Sequence, residues 1–250
     1  MIHDDDGVLA VVIGRAGSKG LPGKNTRLVA GRPMICYAIE HAKQAECVTR
    51  VIVSTDGDEI AAAAESMDVQ VVRRPPDLAS DTATVGAAVR HAIQALGATE
   101  SIIIILYANV PVRPADLIDR AVHLLCDSGA DSVQSYSDVG KHHPYWMCAL
   151  DEDQRVKPYV DNTIDRRQDL PKLLSLNGGV IAVTAACVRN ADESNPHSFL
   201  GTDRRGIETP PGSVVDVDDL TDAILAAAVL ARRQSSGPPK PDSEPIATTS

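Results

Sequence analysis

Short apolar runs alternate along the chain with segments whose apolar residues recur every three or four positions. The continuous runs predict buried strands at 8–13, 51–54, 69–72 and 102–107. The periodic segments predict one helix that begins near Pro33 and three further helices over 57–67, 83–96 and 114–126. The run at 102–107 is the most hydrophobic and is expected to form a central strand. This alternation predicts an α/β fold of three layers with a mostly parallel central sheet.

The pattern changes after about residue 131, where polar and proline-containing loops separate the predicted strands 132–136, 145–150 and 179–184. We expect the region 131–185 to form an antiparallel extension or arm. A strand at 214–217 then leads into a last helix over 220–233. The Ser- and Pro-rich residues 234–250 are expected to be disordered. The chain is therefore expected to form one domain over residues 1–233.

Composition narrows the function classes. The formal net charge of −10 argues against nucleic acid or an anionic membrane as the main partner. No run approaches the ~18 apolar residues of a membrane span, and no basic segment precedes the first apolar run as in a signal peptide. The five cysteines have neither metal-site spacing nor a paired framework. We expect a cytoplasmic protein.

The first apolar run ends in a loop of regularly spaced glycines: Gly14, Gly17, Gly20 and Gly23. Three cations and an amide stand among and after them: Arg15, Lys19, Lys24 and Asn25. Glycines let a ligand approach main-chain N–H groups, which favour anions where they converge, and Lys and Arg add full charges. A strand that stops at such a loop is typical of the first βα turn of a nucleotide-binding domain.

The spacing separates this loop from better-known phosphate motifs. A P-loop requires Ser or Thr after Gly-Lys, whereas Asn25 follows Lys24 here. A dinucleotide fingerprint requires Gly-x-Gly, which glycines three apart do not supply. The alternative is a flexible surface loop with ordinary charges. Glycines and cations placed directly after a buried strand favour a binding loop.

Two further polar groupings follow predicted strands. Asp216 and Asp218, at i and i+2 of the predicted strand, would share one face and could hold Mg²⁺; alternatively they cap and charge the last helix. Arg74 and the segment 80–82 form the other grouping, in which Asp81 or Thr82 could cap the helix at 83–96. Asp56 ends the second strand, as a site residue or a loop cap.

An ordered series of motifs resembles the acylneuraminate cytidylyltransferases, the CMP-sialic acid synthetases and their relatives. The series comprises Arg15-Ala16-Gly17-Ser18-Lys19-Gly20, Lys24-Asn25, Val53-Ser54-Thr55-Asp56, Arg74-Pro75, Ala79-Ser80-Asp81-Thr82, His142-His143-Pro144, Arg167-Gln168-Asp169-Leu170-Pro171, Asn177-Gly178 and Asp216-Val217-Asp218. The resemblance implies a nucleotide-diphospho-sugar-transferase-like (Rossmann-like) fold with a small dimerisation extension. It also implies a homodimer that couples CTP to an acidic sugar with Mg²⁺.

The resemblance also implies roles for individual residues. Catalytic roles fall to Arg15, Lys19, Lys24 and Asp218, and metal binding to Asp216 and Asp218. Nucleotide contacts fall to Gly14, Arg15, Gly17, Ser18, Asn25, Arg74, Asp81 and Thr82. Contacts with the sugar fall to Tyr107, Asn109, Arg167, Gln168 and Asn177.

The chain departs from the family pattern on the sugar side. Tyr107 stands where many members have a pocket glutamine, and Ile181 stands where they have a tyrosine. The acceptor is therefore open to differ from ordinary sialic acid. The alternatives are an enzyme for another acceptor, such as 3-deoxy-octulosonate, and a non-catalytic nucleotide-binding module. The loop cations and the Asp216-x-Asp218 pair argue against the second.

Overall fold

The computed structural model describes residues 7–17 and 20–235. Its helices are α1 (Met34–Gln44), α2 (Asp58–Glu65), α3 (Val85–Ala95), α4 (Leu117–Ser128), α5 (Ala185–Arg189) and α6 (Leu220–Ser235). Its strands are β1 (Val8–Ile13), β2 (Leu28–Val29), β3 (Arg32–Pro33), β4 (Arg50–Thr55), β5 (Gln70–Arg73), β6 (Ile102–Tyr107), β7 (Ser132–Asp138), β8 (Cys148–Leu150), β9 (Val156–Pro158), β10 (Leu174–Thr184) and β11 (Arg204–Glu208).

Seven strands form one sheet in the order β11-β7-β10-β6-β1-β4-β5, with β6 in the middle. Strand β1 pairs in parallel with β4 and β6, β4 with β5, and β7 with β11. Strand β10 is antiparallel to both neighbours, β6 and β7. The predicted mostly parallel sheet with β6 at its centre is confirmed.

Helices cover both faces of this sheet. Alternate residues of β1 point to opposite sides: Val8, Ala10 and Val12 pack with α1, α2 and α4, whereas Leu9 and Val11 pack with α3 and α5. Such two-sided burial explains why β1 and β6 are apolar without interruption. The three predicted layers are thus present, and they place the carboxyl ends of β1, β4 and β6 along one edge.

A third apolar cluster joins α6 to the β2–β3 hairpin and the start of α1. Ala226 and Leu230 of α6 pack against Val29, Met34 and neighbouring side chains. The last helix therefore holds the segment before it, which includes residues 215–218, against the glycine loop and the β2–β3 hairpin. The local sequence pattern does not predict this contact, because it joins segments at opposite ends of the domain.

Several predicted boundaries need correction. Residues 214–217 form no strand of the sheet: the segment makes an isolated bridge between Val215 and Val112 instead. The predicted strand 145–150 shortens to β8, because Pro144–Trp146 form a 3₁₀ turn. Helix α6 includes residues 234 and 235, and the rest of the predicted disordered tail lies outside the described residues.

The predicted cap of α3 is also wrong. The hydroxyl of Thr84, rather than Asp81 or Thr82, accepts a hydrogen bond from the amide of Ala87. Residues 76–79 form a 3₁₀ turn, and the helix begins only at Val85, two residues after the predicted start. Asp81 and Thr82 are thereby left outside the helix.

Strands β8 and β9 form a small hairpin apart from the main sheet. The hairpin lies within the predicted extension 131–185, whose remaining strands, β7 and β10, belong to the sheet. Within the described ranges, no helix is long and apolar enough to cross a membrane.

Candidate active site

A cavity of about 510 Å³ opens at the carboxyl ends of β1 and β6. Nine residues predicted for the site line it: Gly14, Arg15, Lys24, Asn25, Arg74, Asp81, Tyr107, Asn109 and Asp218. They come from six separate stretches of sequence, so the fold assembles them. We call this space the main cavity.

The glycine loop is held in shape by two hydrogen bonds. The buried Asn25 side chain donates to the carbonyl of Arg15 (2.9 Å), and the Asp56 carboxylate accepts from the amide of Ala16 (2.9 Å). Asn25 thus closes the loop on itself. Asp56, left open as a site residue or a loop cap, here secures the loop, which is a structural contact next to the cavity.

The structural need for glycine differs among the four glycine positions of the loop. A Cβ on Gly14 would lie 2.9 Å from the Ala108 Cβ, so close packing requires glycine there. Gly23 has φ of +63°, a conformation that L side chains rarely adopt. A Cβ on Gly20 would meet the Asp218 carbonyl at 3.1 Å, whereas one on Gly17 would meet no described atom within 4 Å.

Both described loop cations form ion pairs with carboxylates at the main cavity. Arg15 Nη1 lies 2.8 Å from Asp81 Oδ1, and Lys24 Nζ lies 2.9 Å from Asp218 Oδ1. A triphosphate bound here would therefore meet positive and negative charges side by side. Such a mixed lining suits an anion that arrives with a divalent cation.

Arg74 reaches the main cavity from the end of β5, and backbone carbonyls hold part of its guanidinium in place. Its guanidinium donates to the Ser54 carbonyl (2.8 Å) and lies 3.5 Å from the Leu78 carbonyl. Burial lowers the pKa of Arg74, the Asp56 carboxylate opposes this shift and the Arg15 cation adds to it. Arg74 consequently adds an oriented positive charge to the cavity wall.

Asp216 and Asp218 lie on an extended segment that the loop after β6 holds in place. The amides of Val215 and Val217 donate to the carbonyls of Val112 (3.2 Å) and Asn109 (2.9 Å). The Asn109 side chain donates to the Asp216 carboxylate and to the Val217 carbonyl. These contacts with a loop, rather than a sheet ladder, position the two carboxylates.

The Asp216 carboxyl is strongly perturbed although part of the residue is exposed. Surrounding protein atoms, and then the Asp218 carboxylate, raise its pKa to about 6, while Lys24 and Arg113 oppose the shift. Gly178, at φ +71°, brings the backbone close, since a Cβ there would lie 3.3 Å from an Asp216 oxygen. Mutual repulsion of two carboxylates is what a bound cation relieves.

The donor set fits Mg²⁺ in part. Two hard carboxylate oxygens are a usual protein contribution to Mg²⁺, which takes its remaining ligands from substrate phosphates and water. No group of three or more His, Cys, Asp or Glu side chains in the described part of the chain could form a complete protein cage. Asp216 and Asp218 therefore suit a metal that arrives with a phosphorylated substrate.

A second cavity, of about 500 Å³, adjoins the main one. The two share Tyr107 and the residues around the start of α3. Its other walls are mostly apolar and come from β7, β10, β11 and the segment 196–200; they include Tyr136, Leu176, Ile181, Phe199 and Leu200, with polar Gln134, His197 and Arg204. We call this space the side cavity. Burial and then Asp216 raise the pKa of Tyr107.

The remaining predicted sugar residues are not brought together with Tyr107 and Asn109. Arg167 lines a separate cavity with Lys172 and Glu208, and Gln168 is exposed on the same 3₁₀ turn. The Asn177 amide bonds within the protein, to Ser135, Ser137, Thr209 and Gly179. These bonds hold the irregular part of β10, and direct sugar contact by Asn177 stays a prediction.

Two predicted nucleotide residues lie outside the main cavity, and a third is not among the described residues. Thr82 lines a smaller neighbouring cavity of about 250 Å³, and Gly17 lines none of the cavities described above. Ser18 lies, with the predicted catalytic Lys19, outside the described residues. Their roles stay predictions.

Sequence reasoning missed a buried cation beneath the site. Arg113 is 1% exposed, and its guanidinium donates to the carbonyls of Gly179 (2.6 Å), Tyr107 (2.9 Å) and Val110. Burial lowers its pKa, and Asp216 opposes the shift. Arg113 thereby ties the loop after β6 to β10. A lone arginine before a proline gives no signal of this role.

Comparisons with known proteins agree on one kind of enzyme. A family model described as cytidylyltransferase matches residues 9–162. The CMP-N,N'-diacetyllegionaminic acid synthase of Legionella pneumophila is 34% identical over 183 residues, which cover 71% of this chain and 78% of that protein. The N-acylneuraminate cytidylyltransferase of Escherichia coli is 36% identical over 117 residues, 47% of this chain but 28% of that protein.

A solved structure shows the same fold. A CMP:2-keto-3-deoxy-manno-octonic acid synthetase complexed with CTP matches with a TM-score of 0.70 and 18% identity, over 91% of this chain and 99% of that one. At this identity the match establishes architecture alone. It agrees with the three-layer architecture described above.

Proposed function

This chain belongs to the cytidylyltransferase family, and from that premise we propose that it couples CTP to an acidic nonulosonic sugar, a class that includes the sialic acids. The products would be a CMP-sugar and pyrophosphate. The observation that carries the proposal is the meeting of Lys24 and Asp218 at the main cavity, beside a Tyr107 wall shared with the side cavity. Nucleotide and acceptor would occupy adjoining spaces.

In the proposed reaction, the anomeric hydroxyl oxygen of the sugar attacks the α-phosphorus of CTP in line. A P–O bond to the sugar forms as the bond to the β-phosphate bridging oxygen breaks, and pyrophosphate leaves with its electron pair. The hydroxyl proton passes to solvent or a nearby base. Positioning and charge neutralisation supply most of the catalysis in such a step.

Three described cations have the placement to orient the triphosphate. Arg15 and Lys24 would exchange their present carboxylate partners, Asp81 and Asp218, for phosphate oxygens. Arg74, oriented by backbone carbonyls, would contact another part of the nucleotide. Lys19, predicted from the loop sequence, would add a further charge.

We propose that Asp216 and Asp218 hold Mg²⁺ when CTP is bound. Bound there, Mg²⁺ would neutralise phosphate charge and lower the pKa of a coordinated hydroxyl. Asn109 orients the Asp216 carboxylate, and the Asp218 carboxylate would exchange its present partner, Lys24, for the metal. Chelation with EDTA should abolish turnover and added Mg²⁺ should restore it; turnover without any divalent cation would remove the metal from the proposal.

The acceptor is the finer part of the proposal. The Legionella relative is named for a diacetylated nonulosonic acid, and the E. coli relative for an N-acylneuraminate. A screen of pyrophosphate release should use nonulosonic and octulosonic acids with each of four nucleoside triphosphates. Release with CTP and a nonulosonic acid is expected. Release only with an octulosonic acid would move the assignment to that acceptor, and release with none would leave a nucleotide-binding module.

We also propose that the protein is a homodimer formed through the β8–β9 hairpin. Leu150, Val156 and Tyr159 of this region are 63%, 65% and 75% exposed. Exposed apolar side chains grouped on one small element are typical of an interaction surface. Sedimentation should report two copies, and Leu150→Asp with Tyr159→Ser should shift the protein toward the monomer. The expected cytoplasmic location stays a prediction.

A further inference from the structure

The side cavity contains one buried polar group that the fold leaves without a partner. Gln134 lies on β7 and is 6% exposed, and the small exposed part of the residue lines the side cavity. Its amide makes no hydrogen bond with any residue that the structure describes, yet it lines the side cavity. Buried amides are nearly always hydrogen-bonded, so an unpartnered one that faces a cavity points to a ligand.

Strand pairing fixes where this amide stands. Gln134 pairs with Ile181 of β10 and with Gly206 of β11. Residues two apart on a strand share a face, so Gln134 and Tyr136 both face the side cavity. Gly206 lets the Tyr136 ring lie against the backbone of β11, since a Cβ there would stand 3.2 Å from two ring carbons. The amide therefore stands in the floor of the cavity, between an aliphatic and an aromatic wall.

We propose that Gln134 recognises an N-acyl amido group on the acceptor sugar. A side-chain amide both donates and accepts, so it complements the C=O and N–H of a secondary amide, whereas a hydroxyl occupies only part of that capacity. The neighbouring Ile181, Leu176 and Phe199 provide apolar contact for the acyl methyl group. This inference rests on the proposed function and specifies which acceptors the site prefers.

The rest of the side cavity separates this role from that of the sugar carboxylate. Arg204 is the cation among the lining residues, and two of its nitrogens already donate to the carbonyls of Gly201 and His197. A carboxylate would be drawn to that charge or to the cations of the main cavity. The neutral Gln134 amide is suited to a neutral polar group.

The test compares acceptors that differ only in the amide. Wild-type enzyme should use a 5-acetamido nonulosonic acid with a kcat/KM about tenfold or more above that of its 5-hydroxy counterpart, since the latter leaves the buried amide incompletely bonded. In Gln134→Met, which keeps the side-chain length, this preference should largely disappear. The KM for CTP should not change, because Gln134 does not line the main cavity.

Two controls separate recognition from folding. Gln94→Met changes an exposed glutamine on α3 and should keep the wild-type preference. Thermal unfolding should show Gln134→Met to be no less stable than wild type, since no protein hydrogen bond is lost. Gln134→Glu, which lacks the amide donors, should lower the preference as well.

The outcomes distinguish this inference from the proposed function. Turnover of both acceptors with no wild-type preference, or an unchanged preference in Gln134→Met, would overturn the role of Gln134 and leave the cytidylyltransferase assignment standing. If no nonulosonic acid releases pyrophosphate from CTP, the proposed function is overturned and this inference with it.

Discussion

Lys24 and Asp218, which are 194 positions apart in the sequence, meet through a 2.9 Å contact between Nζ and Oδ1. The contact joins the glycine loop after β1 to the segment that carries both candidate metal ligands. Because α6 packs against the β2–β3 hairpin, the two ends of the domain are held together independently of this ion pair. The ion pair therefore contributes to the arrangement of the site and is not required to hold the two ends of the domain together.

Replacing Asp218 by Asn should lower kcat by about 100-fold or more, because a charged oxygen at the proposed metal position is lost while the side chain keeps its size. Pyrophosphate release would measure the loss, and urea unfolding should show a stable fold. Asp127→Asn, at an exposed position on α4, is the matched control and should be fully active. Wild-type turnover in Asp218→Asn would refute the proposed role of this carboxylate.

Replacing Arg15 by Met should raise the Kd for CTP about tenfold or more, since a charge-assisted contact to phosphate would be lost. Isothermal titration without acceptor measures this directly. Arg73→Met removes an arginine that pairs with Asp58 away from the main cavity, and its Kd should stay at the wild-type value. Equal weakening in both variants would indicate a nonspecific charge effect.

Two glycines of the loop differ in the space available for a side chain, and their alanine variants should differ in stability. Gly14→Ala should destabilise the protein by about 1–3 kcal/mol, because the new Cβ would stand 2.9 Å from the Ala108 Cβ. Gly17→Ala should change the free energy of unfolding by less than about 0.5 kcal/mol, since its Cβ would meet no described atom within 4 Å. Urea unfolding compares them. A large loss in both variants, or a negligible loss in both, would contradict this distinction between the two glycines.

The partly buried His41 should make stability depend on pH. Burial, and then the Arg113 and Arg233 cations, lower its folded-state pKa to about 3 from its ordinary value of 6.5. Between these values the unfolded chain binds a proton that the folded protein does not. The stabilisation is thus complete above pH 6.5 and decreases as the pH falls toward 3.

His41→Asn should therefore lose less stability than wild type on going from pH 7.5 to pH 5, by about 2 kcal/mol. Urea unfolding at the two pH values gives the difference, and carboxylates that titrate in both proteins cancel. The exposed histidine of α4 supplies the control, because His123→Asn should retain the wild-type pH dependence. Identical slopes in all three proteins would show that His41 is protonated normally.

The sequence predicted the parts of the fold that depend on local pattern. Strands β1 and β6 have the predicted bounds, because burial on both faces leaves an uninterrupted apolar run. The segment 214–217 is also apolar except for Asp216, but it bonds to the loop after β6 instead of joining the sheet. Which neighbour an apolar run pairs with depends on tertiary contacts that the pattern does not contain.

The structure brings together some of the predicted site residues and not others. Arg15, Lys24 and Asp218 line the main cavity as loop chemistry and the family resemblance indicated. Gln134 and Arg113 gave no signal, because a single polar residue in a strand or loop looks the same whether it faces solvent or a cavity. Asn177 matched a motif, yet its amide bonds within the protein.

The position of β10 within the sheet has a consequence for how such an enzyme can change. Because β10 stands between β6 and β7, the side cavity is built largely on strands that contribute nothing to the glycine loop. Substitutions on β7, β10 and β11 can then accumulate without disturbing the loop after β1, to which we assign the nucleotide. With the acceptor in the side cavity, acceptor preference can change while the nucleotide side of the site stays the same. The same reaction with CTP can then serve different sugars.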